Sequence, residues 1–424
     1  MAEAQVLDHA ATQRPAGLDP GLRTKLSIMM FLQYAAWGAW WSVLSKYMMA
    51  PPAEGGLSFN PEQVGWAYAS TAFASLISPL ILGQIADRWV PTQYLLVALH
   101  LLGAGCLYLL PGFTTFSPFF VLILAWAFFY VPTISLTNAL SFHHISDAGR
   151  FFPGIRVFGT IGWIVAGLFV GQTLNETTAQ PILLAAGVSA VLGLYCFVLP
   201  HTPPRGKTGD LFPPLRALGM LKEPQFALFV LVSFLIAILL AAYFTFTGQY
   251  LGAPPRGVTN AASWMTLGQF TEMLLLPLLP FFLRTIGMKK TLLLGIAAWG
   301  IRYGIFSLGQ PTWLVLASLA LHGICYDFFF VAAYIHVDNQ ASANIRASAQ
   351  ALINFVIMGI GMLLGNLAFG KLTASFTDTL ADGVQSTDWT SVWMYPAIGV
   401  IVPVVVFALF FREKPPAAAA RAAD

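Results

Sequence analysis

Twelve apolar stretches, each long enough to cross a bilayer, follow one another with few charges inside them, and no other feature constrains the fold as tightly. A hydrocarbon core takes about 20 apolar residues per helix. The stretches fall near 26–49, 62–86, 93–111, 116–142, 154–174, 181–199, 226–251, 258–284, 288–308, 312–337, 347–374 and 390–411. Soluble domains carry roughly 25% charged residues, whereas this chain of 424 has 9%, beside 57% hydrophobic residues. So few charges cannot cover soluble cores. The expected class is an all-α polytopic membrane protein.

The polar segments divide the chain into 1–25 (an N-terminal tail), 26–200 (six helices), 201–225 (a charged, proline-rich loop), 226–411 (six helices) and 412–424 (a C-terminal tail). Lys and Arg gather on one side: Arg14, Arg23, Lys25, Arg88, Arg150, the central loop, Arg284, Lys289, Lys290, Arg346, Arg412, Lys414 and Arg421. By the positive-inside rule both termini are cytoplasmic. A net charge of +3 with scattered basic residues gives no reason to expect a nucleic-acid partner. The three cysteines, Cys106, Cys196 and Cys325, lie far apart in apolar runs and do not suggest a disulfide framework or a metal site. No phosphate loop, metal cluster or nucleophile–base pair is visible, so neither an enzyme nor a cofactor is expected.

Gly83-Gln-Ile-Ala-Asp87-Arg88-Trp89 follows the second run, and Arg284-Thr-Ile-Gly287-Met-Lys289-Lys290 follows the eighth, the equivalent place in the other half. Asp87 and Arg88 are suited to pairing across the cytoplasmic face and latching one conformation. Twelve spans split six and six, with this Gly-x-x-x-Asp-Arg loop, are the layout of a major facilitator transporter, which alternates access around a midplane site.

Charges at bilayer depth cost at least ~2.5–3.5 kcal/mol each on insertion scales, so each is a functional candidate. Glu272 sits near the middle of the eighth run, with Gln269 one turn before it on the same face, and Asp327 follows Tyr326 near the middle of the tenth. Both acids are expected at similar depth, facing one cavity. An acid there can take up and release a proton, the requirement for proton coupling. Arg302 on the ninth run is read as a static partner for one of these acids, Asp327 first. Arg156, Thr160 and Trp163 recur at helical spacing in the fifth run and offer a cation, a hydroxyl and an aromatic face. Competing with that reading is an Arg156 that snorkels to the interface. Gln33 shares a face with Trp37 and is as well suited to binding as to holding two helices together. His322, one turn before Tyr326, is a candidate for a proton relay, while His100 reads as a buried histidine with its partners met.

Taken together, Phe31-Leu-Gln-Tyr-Ala-Ala-Trp-Gly-Ala-Trp, Ala86-Asp-Arg-Trp, Tyr130-Val-Pro-Thr133, Ile155-Arg-Val-Phe-Gly-Thr-Ile-Gly162 and Ile345-Arg-Ala-Ser-Ala-Gln350 resemble the bacterial nucleoside:proton symporter family of the major facilitator superfamily. The resemblance spans Leu26 to Phe411. It implies proton-driven nucleoside uptake across a cell inner membrane, with Arg156, Thr160, Trp163, Gln269, Glu272, Tyr326 and Asp327 lining the cavity. The seventh run departs from the family pattern: Ala241 and Phe244 stand where an amide pair is expected, leaving Tyr243 or Thr247 to supply polar contact. A sugar or small glycoside is the alternative substrate, and a ligand sensor that transports nothing is a third reading. The expected partners are a small nucleoside, protons and lipid, in a monomer driven by the proton gradient.

Overall fold

The computed structural model describes residues 18–204, 206, 214–342, 344–380 and 384–413. Arg14, Arg205, Lys207, Asp210, Lys414 and Arg421, assigned above to tails and central loop, lie outside the described residues.

Among the described residues, eleven helices are long and apolar enough to cross a membrane. They are α2 (Pro61–Arg88), α3 (Thr92–Gly112), α4 (Phe116–His144), α5 (Ala148–Thr173), α6 (Gln180–Val198), α7 (Pro224–Gly252), α8 (Ala261–Thr285), α9 (Gly287–Leu308), α10 (Thr312–Gln340), α11 (Arg346–Ser375) and α12 (Trp389–Phe410). Before them runs α1, Pro20–Gly38, started by Asp19, whose carboxylate accepts from the Leu22 amide at 2.7 Å.

The expected continuous first span is instead broken. After Gly38 the chain turns and resumes as a short helix, Leu44–Met49. A break at this depth is tolerated only where its freed backbone groups find partners. Tyr68 of α2 supplies one: its hydroxyl donates to the Trp41 carbonyl at 2.6 Å and accepts from the Ser45 amide at 3.2 Å. The Trp41 ring packs 4.6 Å from that same tyrosine, and Trp40 edge-on against Trp126 at 4.7 Å.

Two six-helix halves close on each other at the end away from the termini. Lipid removes the hydrophobic drive between helices, so close backbone approach at small residues does the packing. Gly65 of α2 meets Gly370 of α11, Gly248 of α7 meets the Ser42 carbonyl after α1, and Gly171 of α5 meets Ser263 of α8. Within one half, α5 crosses α1 at Gly162, where any Cβ would run into the Phe31 carbonyl oxygen. At the opposite end the expected latch is not formed: among the described residues Asp87 and Arg88 make no ion pair, and the Arg88 Nε is buried without a partner. The Asp87 carbonyl instead accepts from Gly206 of the central loop at 2.9 Å.

One element was not expected from the sequence. Thr377–Thr379 and Gln385–Thr387 pair as an antiparallel hairpin, β1 and β2, between α11 and α12.

Candidate functional site

Midway through the bundle, α1 and α5 from one half face α8 and α10 from the other. Arg156 lies inward rather than snorkelling: its guanidinium sits 4.0 Å above the ring of Tyr34 on α1. Gly159, one turn along α5, makes room, since a Cβ there would meet the Tyr34 ring at 2.6 Å. Across the gap, Glu272 of α8 lies within electrostatic reach of Arg156 and Tyr34. The two charges form no direct ion pair among the described residues. Tyr326 of α10 lies within electrostatic reach of Glu272, Arg156, Tyr34 and Tyr334. Asp327 is within reach of Glu272.

Asp327 is fully buried, and among the described residues neither carboxylate oxygen has a hydrogen-bond partner. It belongs to a wide turn, Tyr326–Val331, where α10 adopts π-helical geometry. Such single turns recur at functional sites because they shift the register of the residues they carry. The Cys325 carbonyl at the start of the turn accepts from the Trp299 indole at 3.1 Å.

The α5 stripe divides. Thr160 is half-buried and spends no hydrogen bond within the chain among the described residues, whereas Trp163 packs against Gly38 and edge-on to Trp37 at 5.5 Å. Gln33 is buried, and its amide donates to Thr133 of α4 at 2.8 Å while its backbone carbonyl accepts from Tyr130. It therefore ties α1 to α4, with its Oε1 left unpartnered. Gln269 is half-buried, and its Oε1 also lacks a partner.

Arg302 is not the partner of Asp327. It is fully buried on α9, its guanidinium 4.6 Å from the Tyr243 ring and 4.9 Å from the Trp299 ring, with Nη1 3.3 Å from His322 Nδ1. Packing of α9 against α7 and α10 turns it toward the aromatic side of α10 rather than toward the acid. His322, the relay candidate, is buried and stacks with Tyr243 and with Tyr326 at 5.1 and 5.5 Å. Tyr243 and Thr247 both leave their hydroxyls unpartnered. Ala241 faces α11, within 2.6 Å of where a Cβ on Gly365 would stand, while Phe244 is edge-on to His322 at 6.1 Å. The reading of His100 as satisfied does not hold: both ring nitrogens are buried without partners.

The sequence reading missed Tyr34 and Tyr334. Tyr34 precedes Trp37 and Gly38 by three and four residues, the spacing of one helix face. That signal was available for a helix already carrying Gln33. Tyr334 has no comparable signal.

A family model described as Nucleoside H+ symporter matches residues 21–415. The chain is 40% identical over 411 residues to YegT of Escherichia coli (strain K12), a provisionally assigned nucleoside transporter, covering 92% of this chain and 94% of that one. It is 31% identical over 408 residues to a xanthosine permease of the same organism, covering 92% and 95%. The crystal structure of the nucleoside transporter NupG superposes with a TM-score of 0.83 at 30% identity, covering 93% of this chain and all of that one. With its fold, its span pattern and its cross-half cluster of charges, the chain belongs to the nucleoside:proton symporter family of the major facilitator superfamily.

Proposed function

We propose that this protein imports nucleosides together with protons across the inner membrane, by alternating access between its two halves. One observation carries the reading of the site: a cation from one half, Arg156, faces an acid from the other, Glu272, with no ion pair closing the gap. A ligand placed there touches both halves, so binding energy is available to drive their relative motion. Arg156, Thr160, Gln269, Glu272 and Tyr326 contact the nucleoside. Gln33, Trp163 and Tyr243 shape and brace the wall behind them.

Glu272 and Asp327 carry the proton. Asp327 is buried with both oxygens unpartnered among the described residues, so its carboxylate is open to a transported proton. The end holding the termini is cytoplasmic, following the excess of Lys and Arg there. Closure at the other end then makes this the inward-facing arrangement.

The test is uptake into proteoliposomes of purified protein. Labelled uridine accumulates above its equilibrium level when an inward proton gradient is imposed, and labelled glucose does not. Accumulation of glucose without uridine would move the substrate to the sugar class.

A further inference from the structure

Arg302 poses a physical problem that transport as described does not use. Its guanidinium is permanently charged and fully buried, and among the described residues it forms no ion pair. Its Nε and Nη2 have no partners. What it does hold is the faces of Tyr243 and Trp299 and the Nδ1 of His322 at 3.3 Å.

That last contact decides the state of the imidazole. A guanidinium has only donors, so the nitrogen facing it must accept. An imidazolium donates from both nitrogens and does not fit this contact. The ring is therefore neutral, with its proton on Nε2. The ring plane is held as firmly as the tautomer. Tyr243 and Tyr326 both stack with it, at interplanar angles of 20° and 25°, and Phe244 and Trp299 meet it edge-on. Its Cβ fits against Gly268 of α8, where an added Cβ would stand 2.9 Å away.

Among the described residues, Nε2 makes no hydrogen bond within the chain. Tyr326, on one face of the ring, belongs to the cross-half cluster with Glu272. α7 contributes no amide here, since Ala241 packs on α11 and Phe244 is apolar.

We propose that His322 is a specificity-determining residue, a pre-set Nε2–H donor to an acceptor oxygen of the nucleoside, with Arg302 as its positioning residue. This deepens the transport reading above and rests on it. It also removes His322 from the proton path, because a ring fixed as neutral donor by a permanent cation holds its proton. The acceptor is either the exocyclic carbonyl that uridine has and cytidine lacks, or a ribose hydroxyl. Pre-setting the donor matters because nothing has to be ordered on binding.

The experiment measures binding of uridine, cytidine and the 2′-, 3′- and 5′-deoxyuridines to wild type, His322→Phe and His322→Gln. Phe keeps the ring stack without a donor, and Gln returns an N–H close to Nε2. His322→Phe weakens uridine binding by roughly tenfold, the loss of one good hydrogen bond, and His322→Gln recovers most of it. One analogue, the one lacking the contacted oxygen, binds wild type and His322→Phe alike. An insensitive cytidine places the acceptor on the base, and an insensitive deoxyuridine places it on the ribose. Equal losses for all five ligands, or none, overturn the assignment. Independently, ring-15N spectra of the wild type, with the His322 signals identified by their absence in His322→Gln, show a neutral Nε2–H ring. An imidazolium or an Nδ1–H ring overturns the proposal. Failure of the wild type to exchange any nucleoside in counterflow would instead defeat the transport reading.

Discussion

Lys46 and Glu176 form a buried ion pair, Nζ 2.6 Å from Oε2, that clasps the opposite half of the molecule. The Glu176 carboxylate accepts from the Ala261 and Ala262 amides at 3.0 and 2.7 Å, the first turn of α8. The Lys46 ammonium donates to the carbonyls of Val258 and Thr259, each at 3.3 Å. A carboxylate at a helix N-terminus meets both free N–H groups and the positive end of the dipole. The four bonds from this pair to Val258, Thr259, Ala261 and Ala262 cross between the halves and must break before this end of the transporter opens.

Removing one partner leaves a buried charge uncompensated, a loss on the order of 3–5 kcal/mol in buried pairs. Glu176→Gln is therefore expected to shift the population toward the state open at this end. The readout is labelling of Ser263→Cys, in a background lacking the three native cysteines, by an impermeant maleimide added from outside. Ser263 packs against Gly171 in the closed arrangement. Labelling rises several-fold in Glu176→Gln, and an unchanged rate would mean that the glycine contacts alone hold the end shut.

Glu272→Gln and Asp327→Asn each abolish uphill accumulation under a pH gradient but retain counterflow, since exchange needs only the loaded carrier to reorient. Arg302→Lys is expected to keep accumulation coupled to the pH gradient at saturating uridine, whatever affinity is lost through His322, because Arg302 is no partner of Asp327. Normal proton-driven accumulation in both acid variants would show that neither acid carries the proton.

The cation over Tyr34 is geometrically specific, because a flat guanidinium stacks where an ammonium cannot. Arg156→Lys should lower uridine affinity by roughly tenfold, and Thr160→Val by a few-fold, the net worth of a hydrogen bond. Equilibrium binding to variants expressed at wild-type levels checks both. Affinities equal to wild type in both would leave these side chains with packing alone.

Gly162→Val drives a side chain into the Phe31 backbone and is expected to cost about 1–3 kcal/mol of overpacking strain. Gly187→Val on α6, with nothing within 4 Å of its added Cβ, is the matched control. Thermal melting followed by size-exclusion chromatography should show a lowered midpoint for the first only.

The sequence alone determined where the membrane is crossed and which charges are out of place in it. Lipid forces every spanning backbone to satisfy itself, so apolar length translates directly into helices. The expense of intramembrane charge likewise singled out Arg156, Glu272, Arg302 and Asp327. Only the tertiary structure decided which of these meet. α7 is apolar nearly all round, so its residues declare no inward face, and helix rotation follows instead from contacts such as Gly248 on the Ser42 carbonyl and Gly365 beside Ala241. The break after Gly38 depends on a hydroxyl from α2, and the neighbours of Arg302 depend on how α9 packs between α7 and α10. Hydropathy reports the exchange of a helix with its solvent, whereas partner choice is set by contacts between helices distant in the chain, which no local pattern encodes.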